Sequence, residues 1–182
     1  MKIAIILIER TLPGIRELME AVRKQFRAKV TRGMVDLGCT RSFRKSKNQY
    51  DAEFLLKELA GTIIGADKIL YIFREDMFVP DLNFVFGLAS GDVAIVSITR
   101  LDPRFYGKIE DLPKAAAIFR QRLIKEAIHE IGHSFKIPHC KNKKCVMVFS
   151  NSIADVDFKS AEFCNKCSRE LDKKLEEKVI LE

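Results

Sequence analysis

All three histidines of this chain lie in one stretch of nineteen residues, HEIGHSFKIPHCKNKKCVM, running from His129 to Met147. Histidine is the commonest metal ligand among side chains. His129 and His133 are four residues apart, and on a helix four residues advance about 400°, so both rings face one way, one turn apart. Two imidazoles placed so can meet one ion. Glu130 lies beside the first of them, where its carboxylate reaches a water at the metal without being a ligand. Zinc lowers the pKa of such a water to about 7, and the carboxylate can take the proton as the water attacks a carbonyl. A third protein ligand is still needed, with the fourth position left open. His139 is the one histidine remaining, so the chain must turn sharply between His133 and His139. Gly132 sits inside this helix at a cost of about 1 kcal/mol relative to alanine. Close packing of another segment beneath the metal and ordinary tight helix packing both account for it.

The cysteines form a second group. Cys140 and Cys145 are separated by four residues, and Cys164 and Cys167 by two. Two short-spaced pairs supply four thiolates to a closed, tetrahedral, structural zinc. In a reducing compartment that reading is preferred to two disulfides or to buried thiols without metal. Cys39 is left without a partner and reads as a small core residue rather than a nucleophile. The expected cofactors are therefore two zinc ions per chain, one catalytic and one structural. Since His139 abuts Cys140, the structural ion would fix the loop that presents the third catalytic ligand.

These residues need elements to hold them. Residues 2–8 (KIAIILI) read as a fully buried strand. Pro13 and Gly14 open a helix whose Ile15, Leu18, Met19, Val22 and Phe26 follow helical spacing. A second strand is expected around 29–37, a helix from Tyr50 to Ala60, and a third strand ending near Phe73. NFVFGLA and DVAIVSI, separated by Ser90 and Gly91, predict a tight reversal and an antiparallel pair. Asp111 and Pro113 announce a long helix that runs into the histidines. A last helix is expected after Cys167, with Leu171, Leu175 and Val179 on one face. Strands alternating with helices imply a mostly parallel α/β sheet with one antiparallel member.

With 182 residues the chain is long enough for one well-buried core, and 47% hydrophobic residues is ordinary for such a domain. The expectation is a single domain over 1–182. Residues 1–135 would hold the sheet, backing helix and active-site helix; 136–182 would hold the third-ligand loop, the cysteine site and the C-terminal helix. No apolar run approaches the ~20 residues that span a bilayer. MKIAIILIER reads as a strand rather than a signal peptide, which places the chain in the cytoplasm. The formal charge of +7 is unchanged by four thiolates (−4) and two zinc ions (+4). It favours acidic partners but does not by itself indicate nucleic acid. Arg41, Arg44, Lys45 and Lys47 read as a solvated surface rather than a phosphate-binding patch.

Taken together, HEIGHSFKIPHCKNKKCVM and the later CNKC resemble the archaemetzincins, a branch of the metzincin zinc peptidases, whose pattern is HExxHxxGxxHC, four residues, CxM, then a downstream CxxC. FVPDLNFVFGLA looks like the family's stretch ahead of the active-site helix. The resemblance implies a twisted five-stranded mixed sheet with one antiparallel edge strand, a backing helix and an active-site helix. It implies catalytic zinc on His129, His133 and His139, with Glu130 as general base. It makes Met147 the Met-turn methionine, an apolar pad beneath the zinc; without the family, Met147 reads equally well as core filler. It places the edge strand at Asn83 to Ala89, beside the cleft, where an extended peptide would pair with it. It further implies aminopeptidase action.

One position departs from the family. Lys136 stands where the pattern has glycine. Glycine tolerates a left-handed backbone, and a lysine in the same geometry is strained by about 1–2 kcal/mol. Either the turn keeps that geometry under strain or it takes another path. Lys136 is also a candidate substrate contact, set against the plainer reading of a side chain pointing to solvent.

Function then reduces to a zinc-dependent metallopeptidase, acting as a monomer on a peptide or protein. The alternative is a zinc-stabilised module that binds peptide or nucleic acid without cutting it. The complete histidine set and an intact Glu130 favour the enzyme.

Overall fold

In the computed structural model, which describes residues 1–8, 12–38, 40–63, 65–107 and 111–179, KIAIIL forms strand β1 (Lys2–Leu7), buried along nearly its whole length. Helix α1 (Ile15–Phe26) follows and buries Leu18, Val22 and Phe26, residues spaced at one turn. Then come β2 (Lys29–Met34), β3 (Phe43–Arg44), β4 (Gln49–Asp51) and α2 (Ala52–Leu59). The side chain of Asp51 caps α2 by accepting from the Phe54 N–H. The chain continues through β5 (Lys68–Phe73), β6 (Met77–Val79), β7 (Leu82–Val85), β8 (Gly87–Ser90) and β9 (Val93–Ser97). Two 3₁₀ turns lead to the 23-residue helix α3 (Leu112–Ser134). The short α4 (Ile153–Phe158) and α5 (Asn165–Val179) complete it.

The main sheet has strand order β2-β1-β5-β9-β8. Its first four strands run parallel, and β8 runs antiparallel to β9 at the edge. The mixed five-stranded sheet expected from the sequence is thus the one observed. Parallel strands need cover on both faces. One face packs with α1, α3 and α5 in a large apolar cluster; the other packs with α2 in a smaller one. Helix α3 begins where Asp111 accepts from the Lys114 N–H, with Pro113 in its first turn. Its far end is held by the buried Lys68, whose ammonium donates to the Ser134 carbonyl and pairs with Asp92. A cation there satisfies the free carbonyls of the last turn.

Several details differ from the sequence reading. A second sheet, order β3-β4-β6-β7, was not foreseen; its strands have at most four residues, too few for a period to register. The expected edge strand Asn83–Ala89 is split between the two sheets. Leu82–Val85 pairs with β6, whereas Gly87–Ser90 pairs with β9. The break falls at Phe86, which is buried and accepts from the Ser97 N–H through its carbonyl. Gln49 meanwhile donates to the Asn83 carbonyl from the second sheet. Tyr50 lies in β4 rather than in α2, and α5 starts at Asn165, so Cys167 is in its first turn. The six-residue α4 is too short for a periodic signal, but its Ser152–Asp155 capping box explains it. Cys39 and the side chain of Val179 lie outside the described residues.

Candidate functional site

Helix α3 delivers His129, Glu130 and His133 to the floor of a cleft of 390 Å³. One wall is the β7–β8 segment, including Leu82, Phe84, Phe86 and Leu88; His139 and Phe149 form the other side. The His133 Nε2 lies 3.0 Å from that of His129 and 3.1 Å from that of His139. The ring hydrogen bonds decide what these atoms are. His129 Nδ1 is 2.7 Å from the Val146 carbonyl, and His133 Nδ1 is 2.9 Å from the Ile137 carbonyl. A carbonyl only accepts, so each Nδ1 carries the proton and each of those Nε2 atoms presents a lone pair. Lone pairs that face one another repel unless a cation lies between them. Three nitrogens on one tetrahedral zinc would be about 3.3 Å apart for bonds of ~2.05 Å. The observed spacings fit such an ion. Burial first, and the Lys159 ammonium second, hold His129 well below its usual range; burial takes His133 down to about 4 and lowers His139. All three imidazoles are therefore neutral at pH 7, as ligation requires.

The return of His139 depends on how α3 ends. The Lys136 N–H donates to the His133 carbonyl at 2.7 Å, and the Ile137 N–H donates to the Gly132 carbonyl at 3.2 Å. Lys136 has φ 62°. This is a Schellman ending, with Lys136 in the left-handed position. The turn keeps the geometry of the family's glycine, and of the two backbone readings it is the strained one. The Ile137 carbonyl, just past the reversal, is the one that orients His133. The Lys136 side chain is exposed and is not among the residues that line the cleft. Lys136→Gly is therefore expected to raise the melting temperature slightly. Relief of about 1–2 kcal/mol of strain outweighs the ~0.4–1 kcal/mol entropic gain of the unfolded chain. Calorimetry of the two proteins checks this, and a lower melting temperature would contradict it.

Two glycines are shaped by the site. A Cβ on Gly132 would lie 2.5 Å from the Met147 sulfur, so this glycine lets Met147 pack directly against α3. Of the two accounts open for Gly132, close packing of a second segment is the one seen. A Cβ on Gly87 would lie 2.5 Å from Glu130 Cγ and 2.6 Å from its Oε1. Strand β8 thus lies against the Glu130 side chain with no space to spare. Glu130 is buried, and burial first, then the Glu126 carboxylate, raises its carboxyl well above the usual range, with Lys159 opposing.

The four thiols converge on one point. Their sulfurs all lie within 4.8 Å of one another. Cys140 and Cys164 are 3.8 Å apart, against about 2.05 Å for a disulfide and about 3.8 Å for two thiolates on one tetrahedral zinc. Backbone N–H groups point at the sulfurs: Asn142 at Cys140 and Cys164 at Cys145. The N–H of Cys167, more than any other group, brings the Cys164 thiol down to about 7, while burial raises Cys145 and Cys167. A cation among them would favour all four thiolates together. The Cys140 N–H donates to the Met147 carbonyl at 2.9 Å, which ties the cysteine loop to the segment under the histidines.

Four residues of the site escaped the sequence reading. Gly87 had a signal, a glycine inside a strand pattern. Glu126 had a weaker one, three residues before His129 on the same face. Lys159 and Phe149 had none. Lys159 is fully buried and pairs with Glu126; Phe149 is exposed with its ring 5.2 Å from that of His139.

A histidine helix closed by a third imidazole from the following turn, on a sheet with one antiparallel edge, is the architecture of the metzincin-type zinc metallopeptidases. The chain belongs to one family of that class, the archaemetzincins: residues 7–173 match peptidase family M54. It is 42% identical over 132 residues to the archaemetzincin of Methanocaldococcus jannaschii, covering 71% of this chain and 70% of that one. It is also 42% identical over 138 residues to that of Pyrococcus horikoshii, covering 74% and 71%. Among solved structures, archaemetzincin from Methanopyrus kandleri superposes with a TM-score of 0.83 at 33% identity, over 97% of this chain and 96% of that one. A zinc-dependent peptidase from Methanocorpusculum labreanum gives 0.81 at 32% identity, over 93% and 99%.

Proposed function

We propose that this metallopeptidase holds two zinc ions, one on His129, His133 and His139 and one on Cys140, Cys145, Cys164 and Cys167. The convergence of three neutral imidazoles on one point carries the first assignment, and the tetrahedral spacing of the thiols supports the second. When bound at the histidines, zinc supplies Lewis acidity, polarising a carbonyl and lowering the pKa of water to about 7. Glu130 takes the proton from the attacking water and hands it to the departing amine, so that the amide bond breaks with no proton left over. Met147 forms the apolar floor beneath the histidines, and the exposed edge of β8 aligns the peptide by backbone pairing. Lys136 acts through its backbone, in shaping the turn that returns His139.

All seven ligand candidates and the base converge within this chain, so both sites are complete without a partner, as action by a monomer with one domain over 1–182 requires. In the C-terminal part, the Cys140–Met147 hydrogen bond couples the structural site to the catalytic one. No described helix is long and apolar enough to cross a membrane. Free thiols set at metal spacing accord with a reducing, cytoplasmic setting. Removal of residues from the amino terminus is the finer reading, and it rests on the family resemblance. A digest of peptides with free and acetylated amino termini, read by mass spectrometry, tests it. Cleavage of free peptides alone is expected, and it should vanish when a mild chelator removes one of two zinc ions per chain. Equal cleavage of acetylated peptides would exclude the aminopeptidase reading, and absence of all cleavage would exclude the enzyme.

A further inference from the structure

Glu126, His129, Glu130 and His133 occupy one face of α3, so two carboxylates share the face that carries the histidines. Only Glu130 is suited to the reaction. Glu126 is almost fully buried, and its Oε1 has no hydrogen-bond partner among the described residues. That oxygen lies 2.8 Å from the Lys159 ammonium, which therefore compensates its charge at an angle unsuited to a hydrogen bond. The Lys159 side chain is 0% exposed. Its Nζ is also 3.5 Å from His129 Nδ1, whose proton already goes to the Val146 carbonyl. The ammonium thus sits between Glu126 and the back of the first histidine.

Lys159 is not free to leave this position. It is the last residue of α4's cap, and its N–H donates to the Asp155 carbonyl. Helix α4 is fixed to α3 on the same side. Arg122 donates twice to Asp157, at 2.7 Å each, and Lys125 donates to the Val156 and Asp157 carbonyls. Burying a lysine and a glutamate together gives weak net stability, so stability is a poor reason for this pair. What a buried carboxylate does need is a cation. Glu126 lines the same cleft as the three histidines, so two cations could serve it: the Lys159 ammonium, and the metal ion that those histidines would hold.

We propose that Lys159 is a positioning residue that sequesters Glu126, so that this second carboxylate does not capture the histidine-site metal and fill its open position. The inference rests on the histidine site being a metal site. Without Lys159, Glu126 turns to the remaining cation and occupies the place that water and the substrate carbonyl need. Three histidines leave a tetrahedral zinc one position open, and zinc takes carboxylate oxygen as well as imidazole nitrogen, so nothing in the ion prevents this.

The test compares Lys159→Met with the double variant Glu126→Leu/Lys159→Met, in which both charges are gone. Each is depleted of its histidine-site metal and loaded with cobalt(II), whose visible absorption changes in position and intensity when a carboxylate replaces water as a ligand or adds to the coordination number. Lys159→Met is expected to show a changed cobalt band and a kcat lower by about tenfold to hundredfold, the range for partners that orient a metal site, with KM little changed. The double variant is expected to recover the parent's band and most of its kcat. If Lys159→Met does not fold, Lys159→Gln takes its place, since its side chain is polar enough for the buried site but supplies no charge to hold Glu126, and the same spectral change is expected. A parent-like cobalt spectrum in the single variant overturns the proposal, whatever happens to activity. So does a changed spectrum that the double variant fails to restore, because Glu126 would then not be its cause. The spectrum reads the metal site itself, so it decides the role of Lys159 even if no peptide is cleaved.

Discussion

Glu130→Gln is expected to lower peptide hydrolysis by about 10²–10⁴-fold, the usual contribution of a positioned general base. Zinc content and melting temperature should stay at the parent's values. Glutamine has the same shape, so it fits the space left by Gly87, where even a Cβ would meet the Glu130 side chain. The three imidazoles that could hold the ion are untouched. Burial works against the charged carboxylate, so a neutral amide adds no burial cost of its own. The variant should thus be a folded, metal-loaded, inactive protein. Metal analysis, calorimetry and turnover on one preparation check all three statements. Turnover equal to the parent's would remove Glu130 from the role of base, and loss of zinc would mean that Glu130 holds the metal rather than serving it.

Cys167→Ser should act at a distance and with a comparable effect on turnover. Cys167 is buried in the first turn of α5, and its neighbour Leu171 belongs to the main apolar cluster. Structural zinc contributes about 10–16 kcal/mol to the folding of small domains, so losing one ligand in four forfeits on the order of 3 kcal/mol. For a chain of this size that lowers the melting temperature by roughly 5–15 °C. Activity should fall too, although no residue of the histidine site has changed. The route is short: Cys140 follows His139 directly and donates its N–H to the Met147 carbonyl, and Met147 packs against Gly132 between the two helical histidines. Zinc per chain should drop from two toward one, measured by mass spectrometry of the intact protein. An unchanged melting temperature with unchanged activity would show that the cysteines have no structural role.

The histidine face of α3 was legible because it depends on helix geometry alone. Residues four apart share a face wherever the helix lies. The cap at Asp111, the tight reversal after Ser90 and the continuous strand at the amino terminus were legible for the same reason: each is decided by a few neighbours in the chain. The second sheet was not, because strands of two to four residues carry no measurable period and form only when their partners are present. The division of Asn83–Ala89 between two sheets was hidden likewise. Both halves are apolar, and the change of partner is set by where Phe86 is buried and how closely Gly87 approaches Glu130.

Local spacing, then, determined the residue types and the chemistry available to them: two groups of metal-binding side chains, a carboxylate beside the first histidine, and a family pattern that joins them. It left open whether Lys136 keeps the left-handed turn, why Gly132 is a glycine, and whether the thiols pair or surround an ion. The first was decided by the Schellman hydrogen bonds that fold His139 back, which are local but form only when the helix stops there; the second by the Met147 sulfur against α3; and on the third, the sulfurs of Cys140 and Cys164 stand too far apart for a disulfide. The pairing of Lys159 with Glu126 joins residues 33 positions apart. A sequence carries no local sign of such a pair, because a lysine's burial is fixed only when the helix that bears it docks.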